Sequence, residues 1–368
     1  MAVESPRYLF GVEEEFQILD VGGALCQRIG ELLPRLRGTL GDSVAGELYQ
    51  SQVETGTPIC DSLDRARAEL ARLRAAVIAE AERIGCRIGA AGTHPFSHWR
   101  DQRINPKARY VNLRTDNRWL VGEQVVFGCH VHVGLPSKDA AVRTMNRVRV
   151  WLPPLLALTG NSPFWTGDDT GYASFRAELW RRWPASGPPY VFASGAEYDG
   201  VNAALVGAGV VREATKVYWD VRPSERYDTI EFRIADVQTT VEEALMVAGL
   251  VRALVRTCHE DAVRGTAPPA VRPEMLAAAR WLAARDGVEG RLLDPFTSEP
   301  RPAAAVVERL LDFARPALEE HGDWEAVTEQ VARTMAEGTG AERQRAVYAK
   351  SGRVQDVIER IVEDTARV

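Results

Sequence analysis

Apolar and polar residues alternate along GVEEEFQILD, residues 11–20, near the start of the chain. Successive side chains of a strand point to opposite faces, so Val12 and Phe16 fall on one side. Glu13 and Glu15 fall on the other side. The alternation therefore predicts a strand with one buried face and one acidic face. Either that acidic face is exposed to solvent, or a cation compensates its charge.

The same alternation occurs in SQVET, FGCHVHVG and DTIEFRIADV, and each of these segments is apolar on one face. Their polar faces carry Gln52 and Glu54, His130 and His132, and Glu231 and Arg233. Neighbouring strands of a sheet lie about 4.8 Å apart, so side chains from several strands can converge on one site. The recurrence predicts a sheet with a polar floor on one side and an apolar core on the other.

Helical periodicity follows the second strand and dominates the last third of the chain. Apolar residues recur every three or four positions over residues 63–84, which predicts a helix capped by Asp61 and ended by Gly85. Thr240 and Glu243 predict a capping box at the start of a long helix. Further helices are predicted at about residues 272–284, 302–320, 324–337 and 341–366.

Strands thus cluster in the first two thirds of the chain, and helices do not alternate regularly with them. This order favours an α+β fold with a mainly antiparallel sheet over a doubly wound parallel sheet. No linker or internal repeat interrupts the chain. We therefore predict a single domain over residues 1–368, in which residues 240–368 form a mainly helical subdomain.

Composition and charge narrow the class of protein. The chain has 368 residues, of which 45% are hydrophobic and 26% charged, and its net charge is -6, which gives no reason to expect nucleic acid as a partner. No apolar run approaches the roughly 18 residues of a membrane span, and the start of the chain does not resemble a signal peptide. Five cysteines without a CxxC pair indicate reduced thiols and no zinc–thiolate site. We expect a cytoplasmic protein.

The polar strand faces combine carboxylates, imidazoles and a guanidinium. Carboxylates with one or two imidazoles suit Mg²⁺ or Mn²⁺, and Arg233 beside Glu231 suits phosphate oxygens. Together these groups are typical of phosphoryl transfer. Taken singly, the His130–His132 pair also fits a solvated strand face, and the Glu231–Arg233 pair also fits an ion-pair lattice between strands.

Eight segments resemble one known family. They are GVEEEFQILD, QVETGTP, GTHPFSHW, ARYVNL, CHVHVG, NSPFWTGDDTGYASFR, WDVRPSERYDTIEFRIAD and GTGAERQR. In this order, from about residue 8 to about residue 350, they resemble the bacterial glutamate–cysteine ligase type 2 family, whose members are also called carboxylate–amine ligases. The resemblance covers nearly the whole chain.

The resemblance implies the glutamine-synthetase and guanidino-kinase fold group, with a curved antiparallel sheet and helices packed on one face. It also implies ATP-dependent amide formation through an acyl phosphate, with Mg²⁺ or Mn²⁺ as cofactor. The substrates would be small molecules, glutamate and cysteine. A homodimer paired through an exposed strand edge is compatible with this architecture.

By resemblance, five residues form the metal-binding set: Glu13, Glu15, Glu54, His132 and Glu231. Arg233 resembles the arginine that meets the phosphates, and Arg176 is expected to contact the glutamate carboxylate or the transferred phosphoryl group. Weaker expectations for substrate or phosphate binding fall on Arg222, Arg109 and His130. Glu14 points away from this face and is expected to be structural.

Three other functions stay open from the sequence. The same mechanism could act on a different acid and amine, because the residues of the acceptor pocket have no identifiable motif. A metal-dependent hydrolase would need no ATP and no Arg233. A regulatory relative would bind nucleotide without ligating, although all five expected metal ligands are present.

Overall fold

A computed structural model of the chain describes residues 7–367. The expectation that no signal peptide opens the chain concerns residues that lie almost wholly outside this range. The strands are β1 (Phe10–Leu19), β2 (Val44–Gly46), β3 (Gln52–Gly56), β4 (Arg87–Gly89), β5 (Gly128–Gly134), β6 (Phe164–Trp165), β7 (Asp168–Asp169), β8 (Ser186–Gly187), β9 (Tyr218–Trp219), β10 (Val221–Pro223), β11 (Thr229–Asp236), β12 (Arg291–Leu293) and β13 (Pro300–Pro302).

The helices are α1 (Ile29–Leu40), α2 (Leu63–Arg83), α3 (Ala108–Asn117), α4 (Trp119–Gly122), α5 (Lys138–Val148), α6 (Leu152–Leu158), α7 (Phe175–Trp180), α8 (Gly195–Gly207), α9 (Val241–Val263), α10 (Pro273–Asp286), α11 (Ala303–His321), α12 (Trp324–Glu337), α13 (Gly340–Ser351) and α14 (Val354–Thr365). No helix in residues 7–367 is both long enough and apolar enough to cross a membrane.

The main sheet has seven strands and all of its pairings are antiparallel. The strand order is β10-β11-β5-β1-β3-β2, and β4 pairs with the end of β1. The four strands with alternating patterns, β1, β3, β5 and β11, are therefore direct neighbours in the middle of the sheet. This confirms the predicted α+β fold with a mainly antiparallel sheet. Dimer formation through an edge strand stays a prediction.

Helices cover the apolar face of the sheet. Val12 of β1, Val131 of β5 and Ile230 of β11 are buried in one core cluster with Leu250 of α9. Helices α2, α5 and α9 supply most of the covering surface. Helix α9 begins with the predicted capping box of Thr240 and Glu243.

Two helix boundaries differ from the prediction. The cap of α2 is Ser62, whose side chain accepts a hydrogen bond from the Arg65 backbone N–H, so the prediction of Asp61 was wrong by one residue. The single helix predicted over 341–366 is two helices, because Gly352 takes a left-handed conformation with φ 66° that ends α13. Gly85, with φ 71°, ends the α2 region as predicted.

The C-terminal helices pack against different parts of the fold. Helices α11 and α12 pack against α9, whereas α14 packs against β4 at the far end of β1. The hydrophobic core clusters consequently mix residues from both halves of the chain. The boundaries predicted for one catalytic domain and a helical subdomain stay a prediction. The five cysteines are free thiols, four of them buried.

Candidate active site

A cavity of about 400 Å³ lies on the polar face of the sheet. Strands β1, β3, β5, β10 and β11 form its floor, and α3 forms part of its wall. The cavity is lined by nine of the ten residues that the sequence predicts for the site, namely Glu13, Glu15, Glu54, Arg109, His130, His132, Arg222, Glu231 and Arg233. Only Arg176 lies outside the lining.

Strand register brings the polar side chains together. Glu13 is paired with His130 across β1 and β5, and Glu15 is paired with Glu54 across β1 and β3. On the other side of β5, Glu231 is paired with His132. Directly opposite residues in an antiparallel pair project to the same face of the sheet. The convergence therefore follows from register, since each strand alone supplies only one or two of these groups.

Glu13 lies between the two imidazoles. Its Oε2 is 3.4 Å from His130 Nδ1, and its Oε1 is 3.5 Å from His132 Nε2. Burial raises the pKa of Glu13, but the adjacent imidazoles of His130 and His132 together outweigh burial and lower the pKa overall. Burial and the charge of Arg233 lower the pKa of His130 to about 4, so His130 is neutral at pH 7.

Glu15 and Glu54 form an acidic group with Glu47. Burial and the charge of Glu47 raise the pKa of Glu15 to about 7. The same two causes, with added repulsion from Glu13, raise the pKa of Glu54 well above its ordinary value. The Glu15 carboxylate also accepts a hydrogen bond from the Gly128 backbone N–H at 2.6 Å. This part of the cavity carries more negative charge than the protein compensates, which favours a bound cation.

Glu231 is held by two arginines. Arg222 Nε lies 2.8 Å from Glu231 Oε2, and Arg233 donates a hydrogen bond to Oε1. Burial raises the pKa of Glu231, but Arg233 and Arg222 outweigh it and lower the pKa well below its ordinary value. Arg222 also donates hydrogen bonds to two backbone carbonyls, of Thr215 and Val217. Arg222 is therefore largely engaged by the protein, whereas the guanidinium of Arg233 hydrogen-bonds only Glu231 among residues 7–367.

The donor set fits a hard divalent cation. Glu13, His132 and Glu231 offer ligand atoms that all lie within 4.8 Å of one another, and so do Glu13, Glu54 and His130. His132 Nε2 is buried and has no hydrogen-bond partner in the part of the chain that the structure describes. Carboxylate oxygens with imidazole nitrogens suit Mg²⁺ or Mn²⁺. Glu15 belongs to neither group of three, because its carboxylate turns toward Gly128.

Arg176, which the sequence predicts to contact substrate, does not line the cavity. Its side chain is buried and donates to the backbone carbonyls of Arg233 and Ile234 at 3.1 and 3.2 Å. These carbonyls lie in the irregular stretch of β11 between Phe232 and Ala235. Arg176 therefore stabilises the bulge next to Arg233.

Glu47 and Tyr110 are among the cavity residues that the alternation argument missed. Glu47 accepts hydrogen bonds from Arg109 and from the Tyr110 hydroxyl, both at 3.0 Å. Glu47 lies in the turn between β2 and β3, where the two-residue period of a strand does not apply. Tyr110 follows Arg109 in the segment ARYVNL, and only the packing of α3 against the cavity reveals its position.

Residues 9–364 of this chain match the model of a protein family that is described as "Glutamate-cysteine ligase family 2 (GCS2)". A protein of Mycolicibacterium smegmatis, provisionally named glutamate–cysteine ligase 2-3, is 41% identical over 365 residues, which cover 97% of this chain and 98% of that protein. A protein of Frankia alni, provisionally named glutamate–cysteine ligase 2-2, is 42% identical over 87% of this chain and 83% of its own length.

Among solved structures, the chain is similar to glutamate–cysteine ligase of Francisella tularensis in complex with AMP. The TM-score is 0.74, the sequence identity is 14%, and the match covers 98% of this chain and 89% of that chain. At this identity the likeness establishes the fold alone.

Proposed function

The chain belongs to glutamate–cysteine ligase family 2, and on that premise we propose that it joins the side-chain carboxylate of glutamate to the amine of cysteine with hydrolysis of ATP to ADP and phosphate. One observation carries the proposal. Four neighbouring strands direct carboxylates, imidazoles and a guanidinium into a single cavity of about 400 Å³. This volume is within the range of about 300–1,000 Å³ that is usual for small-molecule sites.

The first proposed step activates the acid. An oxygen of the substrate carboxylate attacks the γ-phosphorus of ATP, and the bond from that phosphorus to the β,γ-bridging oxygen breaks. ADP leaves with the electron pair, and an acyl phosphate remains. Arg233 is suited to balance charge on the transferred phosphoryl group, since its guanidinium faces the cavity and Glu231 fixes its position.

The second proposed step forms the amide. The amine nitrogen of cysteine attacks the acyl carbon, phosphate leaves with the electron pair of the broken carbon–oxygen bond, and the nitrogen loses a proton. Arg109, Tyr110 and Glu47 form a hydrogen-bonded group at the α3 wall of the cavity. We assign this group to binding the charged ends of the amino-acid substrates.

The proposed cation ligands are Glu13, Glu15, Glu54, His132 and Glu231. When bound, Mg²⁺ or Mn²⁺ supplies positive charge to the phosphate oxygens. His130 is neutral and hydrogen-bonded to Glu13, so it either orients Glu13 or acts as a further ligand of the cation. Arg222 holds Glu231, and Arg176 holds the bulge that carries Arg233, so we assign both a positioning role.

The test is incubation of the protein with ATP, Mg²⁺ and a panel of amino acids and amines, with ADP and amide products measured by mass. The expected result is ADP release that needs both glutamate and cysteine and yields γ-glutamylcysteine. ADP release with another acid or amine would support the same mechanism with different substrates. Turnover of a substrate without ATP would identify a metal-dependent hydrolase and overturn the proposal.

A further inference from the structure

A second cavity, of about 520 Å³, lies beside the same helix α3 but shares no lining residue with the candidate active site. Its wall includes the guanidinium side chains of Arg100, Arg114 and Arg118 and the indole rings of Trp99 and Trp119. This concave surface combines three arginines and two tryptophans in a chain whose net charge is -6. None of the proposed steps of the reaction uses it.

The three guanidinium groups are not neutralised by acids. Among residues 7–367, no carboxylate lies within 4.0 Å of Arg100, Arg114 or Arg118. A neighbouring arginine shows the contrast, since Arg109 on the same helix is 3.0 Å from Glu47. Positive charge is thus concentrated at the second cavity. Guanidinium groups arranged in this way match the oxygens of a phosphate or carboxylate.

The indole rings offer an aromatic surface beside this charge. Trp119 is 61% exposed, and its ring meets that of Trp99 edge to face with 5.1 Å between the ring centroids. The Arg100 guanidinium lies 4.3 Å from the centroid of Trp99. The Trp99 ring packs directly against the backbone of Gly122, where an added Cβ would lie 2.8 Å from the ring. A large ring left open to solvent beside a cation is suited to stacking with a planar ligand.

The backbone at this cavity is strained. Arg118 joins α3 to α4 with φ 51°, a left-handed conformation that disfavours any residue with a Cβ. This turn places Arg118 and Trp119, which are adjacent in sequence, on the same cavity wall. Strained backbone of this kind is concentrated at ligand sites.

We propose that the second cavity binds a nucleoside phosphate. The phosphate oxygens lie against Arg114 and Arg118, and the base lies against Trp119 and Arg100. A volume of about 520 Å³ is larger than inorganic phosphate needs and suits a ligand with a ring system. The site is separate from the candidate active site, although α3 carries Arg109 and Tyr110 to the active site and Arg114 to the second cavity.

The test is calorimetric titration of the full chain with AMP in the absence of ATP and divalent cations. The expected result is a saturable binding event, accompanied by a change in tryptophan fluorescence. In the double variant Arg114→Gln/Arg118→Gln, AMP binding weakens at least tenfold. Without AMP, the thermal midpoint, kcat and KM for ATP of this variant stay those of the unmodified protein.

Further variants control for non-specific effects and test which part of the ligand each side chain contacts. Arg72→Gln is the matched control, because Arg72 is exposed on α2 and paired with Glu69, and it leaves AMP binding unchanged. Trp119→Leu weakens binding of AMP but not of pyrophosphate. Should the double variant not fold, Arg100→Gln replaces it, since Arg100 is exposed.

Four outcomes would overturn the proposal. They are the absence of saturable AMP binding, an AMP affinity that the double variant leaves unchanged, equal affinities for AMP and pyrophosphate, and equal affinities for AMP and adenosine. In the last case phosphate recognition by the arginines would contribute nothing. All of these measurements report binding, so their failure is distinct from failure of the proposed ligase reaction.

Discussion

The carboxylate of Glu14 lies 2.5 Å from the guanidinium of Arg74, and both side chains are completely buried. Arg74 also donates hydrogen bonds to the backbone carbonyls of Gln238 and Thr239 just before α9. Glu13, one residue earlier, faces the cavity on the opposite side of the sheet. Two adjacent glutamates therefore have different tasks, one in the polar cavity and one in fixing α2 and α9 to the sheet.

This difference predicts that the cavity glutamates matter for activity and that Glu14 matters for stability. We expect Glu54→Gln and Glu231→Gln to lower ADP release at least about 100-fold, because each removes a charged group from the proposed cation ligands. Glu14→Gln keeps most of the activity of the folded protein. It lowers the free energy of unfolding by about 3–5 kcal/mol, since the Arg74 charge is left buried and unpaired.

Urea unfolding and an ADP assay corrected for the folded fraction measure these two effects separately. Equal loss of specific activity in all three variants would contradict the assignment of Glu14 to a structural role and of Glu54 and Glu231 to the site.

Removal of divalent cations is expected to abolish ADP release, and addition of Mg²⁺ or Mn²⁺ restores it. The ion also stabilises the fold by binding only the native state, so the thermal midpoint rises with ion concentration in the absence of ATP. Differential scanning fluorimetry measures this rise, which is much smaller in His132→Ala. A midpoint that responds to the ion equally in both proteins would place the cation elsewhere.

Arg233→Lys is expected to lower kcat by about 10²–10³-fold with a smaller change in KM for ATP, because an ammonium group cannot reproduce the two-pronged contact of a guanidinium with phosphate. Arg226→Lys is the matched control. Arg226 lines the same cavity but is exposed, so we expect the kcat of the Arg226→Lys variant to stay within about threefold of that of the unmodified protein. Steady-state kinetics with both variants provide the measurement, and similar losses in the two would refute a special role for Arg233.

Gly128→Ala tests the packing beneath the site. A Cβ at Gly128 would lie 2.3 Å from Arg176 Nη2 and 3.0 Å from His130 Nε2, so both side chains must move. We expect a loss of about 1–3 kcal/mol in stability and a clear fall in kcat. Gly134→Ala, on the same strand and face, meets its nearest atom at 3.5 Å and has little effect. Urea unfolding and kcat, measured for both glycine variants, test this expectation.

His94 provides a pH test of stability. Its Nε2–H donates to the Gly23 carbonyl at 2.9 Å, and its Nδ1 accepts from the Ser97 backbone N–H at 2.8 Å. Burial lowers the pKa of His94 from 6.5 to about 4, so folding favours the neutral imidazole. Its contribution is fully present above pH 6.5 and is lost as the pH falls from 6.5 towards 4. This difference in pKa corresponds to about 3 kcal/mol.

Urea unfolding of the unmodified protein and of His94→Gln at pH 7.5 and pH 4.5 checks this expectation. The stability advantage of the unmodified protein shrinks at the lower pH. An advantage that is the same at both pH values would show that His94 does not titrate between them.

Local features of the fold were predictable because they depend on short stretches of chain. The two-residue period assigned Glu13 and Glu15 to one face and Glu14 to the other, and the Thr240–Glu243 box located the start of α9. The long sequence motifs identified the family. By contrast, Ser62 was missed as the cap of α2, because residues near a helix end compete for the same role within one or two positions. Gly352 was missed because a single glycine inside a helical pattern does not by itself show whether the helix ends there.

Only the tertiary structure decided which faces meet. The order of β11, β5, β1 and β3 places His130 beside Glu13, although 117 residues separate them in sequence. The same long-range packing took Arg176 out of the cavity and brought Glu47 into it. Alternation is a property of one extended segment and depends only on backbone geometry. Register and strand order depend on the burial of apolar faces contributed by remote segments, so no single segment of the sequence contains that information.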